Sequence, residues 1–343
     1  MTEAPAGLLI SHPACLEHDP GAQLPGHPDS PARLRAIEDR LAERDWLGWA
    51  RLEAPAASDA EIEAVHTHAH VAAIRDLSRR GGGAIDPDTY VGSSSLDAAL
   101  RGAGAACEMT RALLAGEART GLCATRPAGH HAEPDRAMGF CLFDNVAIGA
   151  ELGVRELGVE RVMVIDWDVH HGNGTVEAFR RRPDVLVAGI HQQGIYPGTG
   201  SARDIGTGPG EGYTINLPVP AGSDESLWLS LLEHLIVPAG TRFAPQLILI
   251  SAGFDAHRAD PLAGCRLEAE SFGRMASRVR ELGRVLGAPV GAVLEGGYAP
   301  PALADSVVAT MAALAGEGAV ESVPRDRALD SDGLSAVVAR WTA

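Results

Sequence analysis

Apolar residues along the chain follow two alternating patterns. Short runs of consecutive apolar residues, as at 162–165 and 247–250, alternate with longer segments in which apolar positions recur every three or four residues. The short runs predict β-strands, and the longer segments predict amphipathic α-helices. The predicted strands are 7–11, 121–125, 161–166, 185–190, 213–217, 246–251 and 289–294. The predicted helices are 31–43, 95–115, 145–157, 224–242, 268–286 and 301–315.

Several predicted strands are apolar on both faces, and they alternate with the predicted helices. This pattern is typical of a parallel sheet covered by helices on both faces, which places the protein in the α/β class. No repeat, linker or change in composition marks a boundary. We therefore expect one domain over 1–343, with a core at about 7–316 and a polar, peripheral tail at 317–343. Ser58, three residues before Glu61, marks a further helix start.

The charge of the chain narrows the choice of partners. The formal net charge is −16 and the basic residues are scattered, which argues against nucleic acid or an anionic membrane and favours cationic ligands. No run approaches the roughly 20 apolar residues of a membrane helix, and residues 1–9 lack the pattern of a signal peptide. Five cysteines without a CxxC pair indicate reduced, buried thiols. We expect a cytoplasmic protein, and a homo-oligomer stays open.

Histidine and carboxylate side chains follow directly after four of the predicted strands. In an open parallel sheet, ligands bind beyond the carboxyl ends of the strands, so these side chains are candidates for one site. Asp166, Asp168 and His170 alternate along an extended segment and therefore share a face. Asp255 follows another strand and is a candidate third ligand beside Asp168 and His170. Three protein ligands with an open position are typical of a catalytic zinc site.

A general base is expected beside such a metal. Two carboxylates and one histidine nearly neutralise the ion, which then acidifies its water less than a three-histidine site, where the pKa falls to about 7. His130 and His131 are candidates for the base, and Asp166 and Asn173 are candidate acceptors for their second N–H groups. Tyr298 follows two glycines and is a candidate donor to a developing oxyanion.

Six motifs occur in a fixed order: RPAGHHA, GFCLFDN, DWDVHHGNG, YPGTG, SAGFDAH and EGGY. In this order they resemble the histone deacetylase family, which includes bacterial deacetylase-like amidohydrolases and acetylpolyamine amidohydrolases. The resemblance extends from His27 to about Ala315. It implies the arginase–deacetylase fold, with a mainly parallel central sheet flanked by helices on both faces. It also implies hydrolysis of an acylated amine, either an acetyl-lysine or a small acetylated amine.

The resemblance implies a role for each candidate side chain. Asp168, His170 and Asp255 would bind one zinc ion per chain. His131 would act as general base and then as acid, with His130 as its electrostatic partner. Tyr298 would polarise the amide carbonyl. Residues that contact the substrate would be the channel walls Phe140 and Tyr196, the Gly139 carbonyl, the rim residue Asp88, and Leu262 at the mouth.

Two positions refine the comparison. Asn173 stands where class I members have an aspartate, so the chain resembles class II. The family also has a structural potassium ion, which would involve Asp166, Asp168 and His170. Gly189 replaces the serine that is usual beside that ion.

Three alternative functions share part of this pattern. Within the deacylases, the alternative is an acetylpolyamine amidohydrolase, although the resemblance gives the apolar Leu262 as the residue usual in lysine deacylases. An arginase-like binuclear manganese enzyme needs carboxylates where this chain has Gly172 and His257, and no GxSxG or HExxH motif supports a serine hydrolase or a metalloprotease. The third is a catalytically silent protein that binds acyl-lysine. Among the other histidines, a structural role is favoured for His18 and His27, with a position at the rim as the alternative. A structural or surface role is expected for His66, His68 and His70.

Overall fold

The computed structural model describes residues 6–318, 322–326 and 339–341. Within these residues there are ten β-strands. Eight of them form one parallel sheet, in the order β2-β1-β5-β10-β9-β6-β7-β8, and β3 pairs with β4 in a separate antiparallel hairpin. The strands are β1 (Leu8–Ser11), β2 (Ala50–Glu53), β3 (Gly82–Ala84), β4 (Tyr90–Gly92), β5 (Thr120–Cys123), β6 (Val162–Asp166), β7 (Val185–Gln192), β8 (Thr214–Val219), β9 (Leu247–Ala252) and β10 (Val290–Leu294).

Ten α-helices within the described residues connect and cover these strands. They are α1 (Ala32–Ala42), α2 (Asp59–Glu63), α3 (His68–Arg79), α4 (Ser95–Leu114), α5 (Asn145–Arg155), α6 (Asn173–Phe179), α7 (Glu225–Leu231), α8 (Val237–Phe243), α9 (Ala269–Leu286) and α10 (Pro300–Ala315). Short 3₁₀ turns lie at Pro13–Leu16, Pro20–Ala22, Asp45–Gly48 and Gly208–Gly210.

Side chains alternate between the two faces of the sheet, so each strand contributes to two separate hydrophobic cores. On β6, Met163 and Ile165 pack with α1 and α7 to α10, whereas Val162 and Val164 pack with α4, α5 and α6. All residues of β6, β9 and β10 are buried, because helices cover both faces of the sheet. The expected parallel sheet flanked on both faces is confirmed.

All seven predicted strands and all six predicted helical segments are present, with ends shifted by one or two residues. The pattern missed β2, because this short edge strand is largely exposed and lacks an apolar run. It also missed the hairpin of β3 and β4 and the helix α6. The helix start predicted at Ser58 is confirmed as the N-cap of α2, where the Ser58 side chain accepts from the Glu61 N–H. The helix predicted at 224–242 is divided into α7 and α8 by a π-helical turn at Leu232–Ile236, next to Pro238, which has no N–H for the helical ladder.

The tail predicted at 317–343 lies partly outside the described residues, at 319–321, 327–338 and 342–343. Its described part is not wholly peripheral, which corrects the prediction. The Trp341 side chain is buried, its Nε1–H donates to the Gly212 carbonyl over 3.2 Å, and its ring lies 6.0 Å from that of Tyr213.

Candidate active site

Three potential metal ligands converge at the carboxyl edge of the sheet. Asp168 and His170 follow β6 and Asp255 follows β9, the strand beside it. All three side chains are buried, and their ligand atoms lie within 4.8 Å of one another. His170 Nδ1 lies 3.2 Å from an Asp168 carboxylate oxygen and 3.0 Å from an Asp255 carboxylate oxygen. The predicted pairing of two carboxylates with one imidazole is therefore present.

Backbone groups orient the two carboxylates. Asp168 accepts hydrogen bonds from the Gly296 N–H over 2.8 Å and from the His170 N–H over 2.9 Å. Asp255 accepts one from the Val169 N–H over 2.8 Å. A Cβ at Gly296 would overlap both carboxylates, so glycine is required for this approach. The cluster is thus fixed before any ligand binds.

The electrostatics of this cluster fit a cation. Burial and the Asp168 carboxylate raise the pKa of Asp255 to about 7. Burial opposes charge on His170, but Asp168 and Asp255 outweigh it and raise the pKa of His170 to about 10. The carboxylates therefore recruit positive charge at the point where they meet. A divalent ion bound there would supply that charge, and the donors are types that zinc accepts.

His130 and His131 lie beside this cluster, on the loop after β5. His130 Nδ1 is 3.0 Å from an Asp166 carboxylate oxygen, and His131 Nδ1 is 2.8 Å from Asn173 Oδ1. The two rings are 4.0 Å apart, and the His131 ring is 6.0 Å from that of His170. Both predicted acceptors therefore contact the histidines for which they were proposed.

The two histidines differ in charge because their partners differ. Burial opposes charge on His130, but Asp168 and Asp166 outweigh it and raise its pKa well above the ordinary value. Burial and the neighbouring His130 lower the pKa of His131 well below the ordinary value. A charged His130 thus lies beside a neutral His131, which keeps a lone pair available to take a proton.

Glu295 fixes the backbone of the histidine loop and was not singled out from the sequence. Its buried carboxylate accepts from the Gly129 N–H over 2.7 Å and from the His130 N–H over 3.2 Å. Burial raises the pKa of Glu295 to about 8. The available signal was its place in the EGGY motif, directly after β10.

Asp260 and Arg33, which the sequence pattern did not indicate, hold the backbone around Tyr298. The Tyr298 N–H donates to Asp260 Oδ2 over 2.6 Å, and the Leu262 N–H donates to the other oxygen of Asp260 over 3.0 Å. The buried Arg33 donates to the carbonyls of Gly297, over 2.6 Å, and Glu295, and lies 4.8 Å from the Tyr298 ring. Burial raises the pKa of Tyr298 well above its ordinary value, so its hydroxyl keeps its proton.

A cavity of about 220 Å³ leads to these groups. All five predicted substrate-contacting residues line it, together with three predicted catalytic or metal-binding residues and one residue that the sequence did not indicate, Ile195. Its lining comprises Asp88, His131, Gly139, Phe140, His170, Ile195, Tyr196, Leu262 and Tyr298. His131 and His170 are buried, whereas Leu262 is 38% exposed, which places Leu262 at the mouth.

The Phe140 wall depends on an unusual backbone. Gly139 and Phe140 both have positive φ, 57° and 66°. A Cβ on Gly139 would clash with the rings of His131 and Tyr196, at 2.5 and 2.8 Å. The Phe140 ring packs 4.6 Å from that of His27, whose Nε2 lies 2.9 Å from the Asp88 carbonyl oxygen. His27 therefore lies near the rim, which was the alternative position for this residue.

Other histidines lie away from the cavity. His18 does not lie at the rim, because its ring is buried between Ser95, at 2.7 Å, and Asp29, at 3.4 Å. His66 and His70 are buried with backbone partners, and His68 is exposed, which agrees with a structural or surface role.

The parallel strand order and the two helical layers place the chain in the arginase–deacetylase class of α/β proteins. A solved structure described as the HDA15 HD domain superposes with a TM-score of 0.90 at 32% identity, over 98% of this chain and 95% of its own. Residues 27–314 match the family model described as the histone deacetylase domain. The chain belongs to the histone deacetylase family.

Two relatives illustrate its range. The histone deacetylase-like amidohydrolase of Pseudomonas aeruginosa is 42% identical over 279 residues, covering 80% of this chain and 73% of the relative. Histone deacetylase 14, chloroplastic, of Arabidopsis thaliana is 38% identical over 338 residues, covering 93% of this chain and 79% of the relative. Among the described residues, no helix combines the length and apolar character needed to cross a membrane. A cytoplasmic location stays a prediction.

Proposed function

We propose that this chain is a zinc-dependent amidohydrolase that cleaves an acyl-lysine or a related small acylamide to a free amine and a carboxylate. One observation carries the proposal: His131, Tyr298 and His170, which is one member of the Asp168–His170–Asp255 cluster, line a single cavity. Zinc held by this cluster would lower the pKa of a bound water and polarise the substrate carbonyl.

The chain's own residues supply the proton transfers. His131 takes a proton from the attacking water and later gives a proton to the nitrogen of the leaving amine. His130 stays charged and offsets negative charge that develops nearby, since its partners hold it in the protonated form. The Tyr298 hydroxyl donates to the carbonyl oxygen as that oxygen gains charge. The C–N bond breaks, and water's oxygen remains on the carboxylate product.

The cavity favours a linear acylated amine. Phe140 and Tyr196 offer apolar faces to the methylene chain of an acyl-lysine, and the Gly139 carbonyl accepts from its amide N–H. Asp88 at the rim would contact the peptide backbone, and the apolar Leu262 at the mouth gives no partner to a distant ammonium. We therefore place acyl-lysine first.

An acetylpolyamine is the second candidate substrate. The observation that favours it is a second carboxylate, Asp86, next to Asp88, where Asp86 Oδ1 accepts from the Asp88 N–H over 3.1 Å. Burial and Asp86 raise the pKa of Asp88. Two neighbouring carboxylates attract a cationic chain.

We further propose a structural potassium ion near Asp166, Asp168 and His170, although Gly189 supplies no side-chain oxygen there.

The test is a panel of acetyl-lysine peptide, longer acyl-lysines and acetylputrescine, assayed with chelator and after zinc is restored. We expect zinc-restored turnover and the highest kcat/KM on an acyl-lysine. His131→Ala is the matched control, because it should retain zinc and lose about 10²–10⁴-fold in turnover. Binding without turnover in the zinc-loaded wild type would indicate the silent binding protein. Turnover that survives complete removal of metal would overturn the zinc assignment.

A further inference from the structure

A carboxylate lies behind the general-base histidine and is separated from it by one amide. Asn173 Oδ1 lies 2.8 Å from His131 Nδ1, and Asn173 Nδ2 donates to Glu133 Oε1 over 2.8 Å. His131, Asn173 and Glu133 thus form a continuous chain of hydrogen bonds. Glu133 does not line the cavity and has no part in the chemistry described so far.

The direction of the Asn173 amide decides which nitrogen of His131 carries the proton. An amide offers an acceptor at its oxygen and a donor at its nitrogen, and rotation by about 180° exchanges the two. With the oxygen toward His131, Nδ1 carries the proton and Nε2 keeps its lone pair. With the amide reversed, Nδ1 becomes the acceptor and the proton moves to Nε2. Only the first arrangement leaves His131 a base on its other nitrogen.

Glu133 is the group that sets this direction. An ionised carboxylate only accepts, so the Asn173 NH₂ must face it. The other acceptors near Asn173 Nδ2 are weak or distant: the His131 carbonyl oxygen and the Met138 sulfur, both at 3.4 Å. The bond to Glu133 is both shorter and charge-assisted, and such bonds are about twice as strong as neutral ones.

The backbone holds Glu133 in place for this contact. Glu133 and Arg136 exchange two backbone hydrogen bonds across a tight turn, over 2.9 and 3.2 Å. His66 Nδ1 lies 3.1 Å from the Glu133 carbonyl oxygen. The Glu133 side chain is 27% exposed, and its second oxygen faces Arg136 at 3.4 Å. The carboxylate therefore lies at the protein surface beside a cation, while its first oxygen reaches inward to Asn173.

We propose that Glu133 is a positioning residue that orients the Asn173 amide and so fixes the catalytically competent tautomer of His131. The proposal rests on the proposed function, in which His131 is the general base. In this chain, an asparagine and a remote carboxylate together do what a single carboxylate next to the histidine would do alone.

The first test compares Glu133→Ala with Arg136→Ala. Glu133→Ala leaves the amide direction to weak contacts, and we expect kcat to fall about 10-fold or more, given the strength of a hydrogen bond to a charged group. KM, zinc content and hydroxamate affinity should change less than 2-fold. Arg136→Ala removes the outer partner of Glu133 and leaves the link to Asn173, so its kcat should match that of the wild type.

The decisive test repeats the substitution in an Asn173→Asp background. An aspartate at 173 cannot reverse, because both of its oxygens accept, so it fixes the His131 tautomer without help. It also faces Glu133 as a like charge. We expect Glu133→Ala to be neutral or to raise kcat in this background. Contacts that do not couple to Asn173 would give the same loss in both backgrounds.

Each outcome decides between the alternatives. An equal loss of kcat in both backgrounds, or no loss in either, overturns the role of Glu133 while the wild type remains an active zinc deacylase. A wild type without zinc-dependent turnover contradicts the proposed function instead. Should Glu133→Ala fail to fold, Glu133→Gln makes the same comparison. Its amide can donate as well as accept, so kcat should fall several-fold beside Asn173 and rise beside Asp at that position.

Discussion

Adjacent histidines in one loop acquire different charge states, one protonated and one neutral, because their surroundings differ. The carboxylate of Asp166 faces His130, whereas the neutral amide of Asn173 faces His131. The first partner favours a protonated ring, and burial keeps the second ring neutral. A general base and its electrostatic partner can therefore lie side by side without exchanging roles.

Residues that carry chemistry were easier to predict than the residues that hold them. Asp168, His170 and Asp255 were predicted because alternation and strand ends bring particular side chains to one place. Glu295 and Asp260 act instead on backbone N–H groups of distant segments. Backbone groups are the same at every position, so no pattern of side chains predicts which carboxylate will accept from a given backbone N–H.

At the residue scale, Tyr298→Phe tests the oxyanion donor. The substitution keeps the ring against Arg33 and deletes only the hydroxyl. Because that hydroxyl acts on charge that develops during the reaction, turnover should fall about 10²–10³-fold. Zinc content and hydroxamate affinity should be retained. Unchanged turnover with weakened substrate binding would make Tyr298 a contact to the ground state.

Leu262→Glu tests the choice between the two substrate classes. A carboxylate at the mouth would attract the distal ammonium of an acetylpolyamine, and an exposed ion pair contributes about 0.2–1 kcal/mol. The ratio of kcat/KM for acetylputrescine to that for acetyl-lysine should rise up to about 5-fold. Leu262→Gln, of similar size and without charge, is the control, and the effect should shrink at high salt. An unchanged ratio at low salt would remove the argument from Leu262.

At the scale of elements, His66 joins both ends of the segment 133–144, which carries the Phe140 wall. Its Nδ1–H donates to the Glu133 carbonyl over 3.1 Å, and its Nε2 accepts from the Asp144 N–H over 2.8 Å. The ring must be neutral for both contacts. The sequence predicted a structural role for His66, but its two partners lie more than 60 residues away, beyond the range of any local pattern.

His66→Gln tests this connection through its dependence on pH. Burial and His70 lower the pKa of His66 to about 3, against an unfolded value near 6.5. Its contribution to stability is therefore complete above pH 6.5 and is lost as the pH falls toward 3. His66→Gln should lower the free energy of unfolding at pH 7 by about 1–3 kcal/mol. Its deficit should shrink by up to about 2 kcal/mol at pH 5.

Urea unfolding at the two pH values measures both quantities for His66→Gln. His68→Gln is the control, because the exposed His68 contacts the side chain of Glu63 at the surface and its loss should leave stability unchanged at either pH. A deficit that is equal at pH 7 and pH 5 would mean that His66 does not need to be neutral.

At the scale of the whole molecule, the parallel sheet assembles the site. Strands β5, β10, β9 and β6 are four consecutive neighbours in the sheet. In that order, they lead into the histidine loop, Tyr298, Asp255 and Asp168. The sequence predicted these strands and their common direction, but not their order, because order depends on packing between helices distant in sequence. A single domain over 1–343 stays a prediction.

Metal removal tests how far the site determines the stability of the fold. The cluster buries two carboxylates that repel each other, and a cation bound only by the folded state stabilises it by about 4 kcal/mol at 1,000 times its dissociation constant. For a chain of this length, chelation should therefore lower the melting temperature of the wild type by about 4–6 °C. Asp255→Asn weakens metal binding and also removes the repulsion. It should melt at one temperature with or without chelator, above that of the metal-free wild type. A variant as sensitive to chelator as the wild type would mean that Asp255 does not bind the stabilising ion.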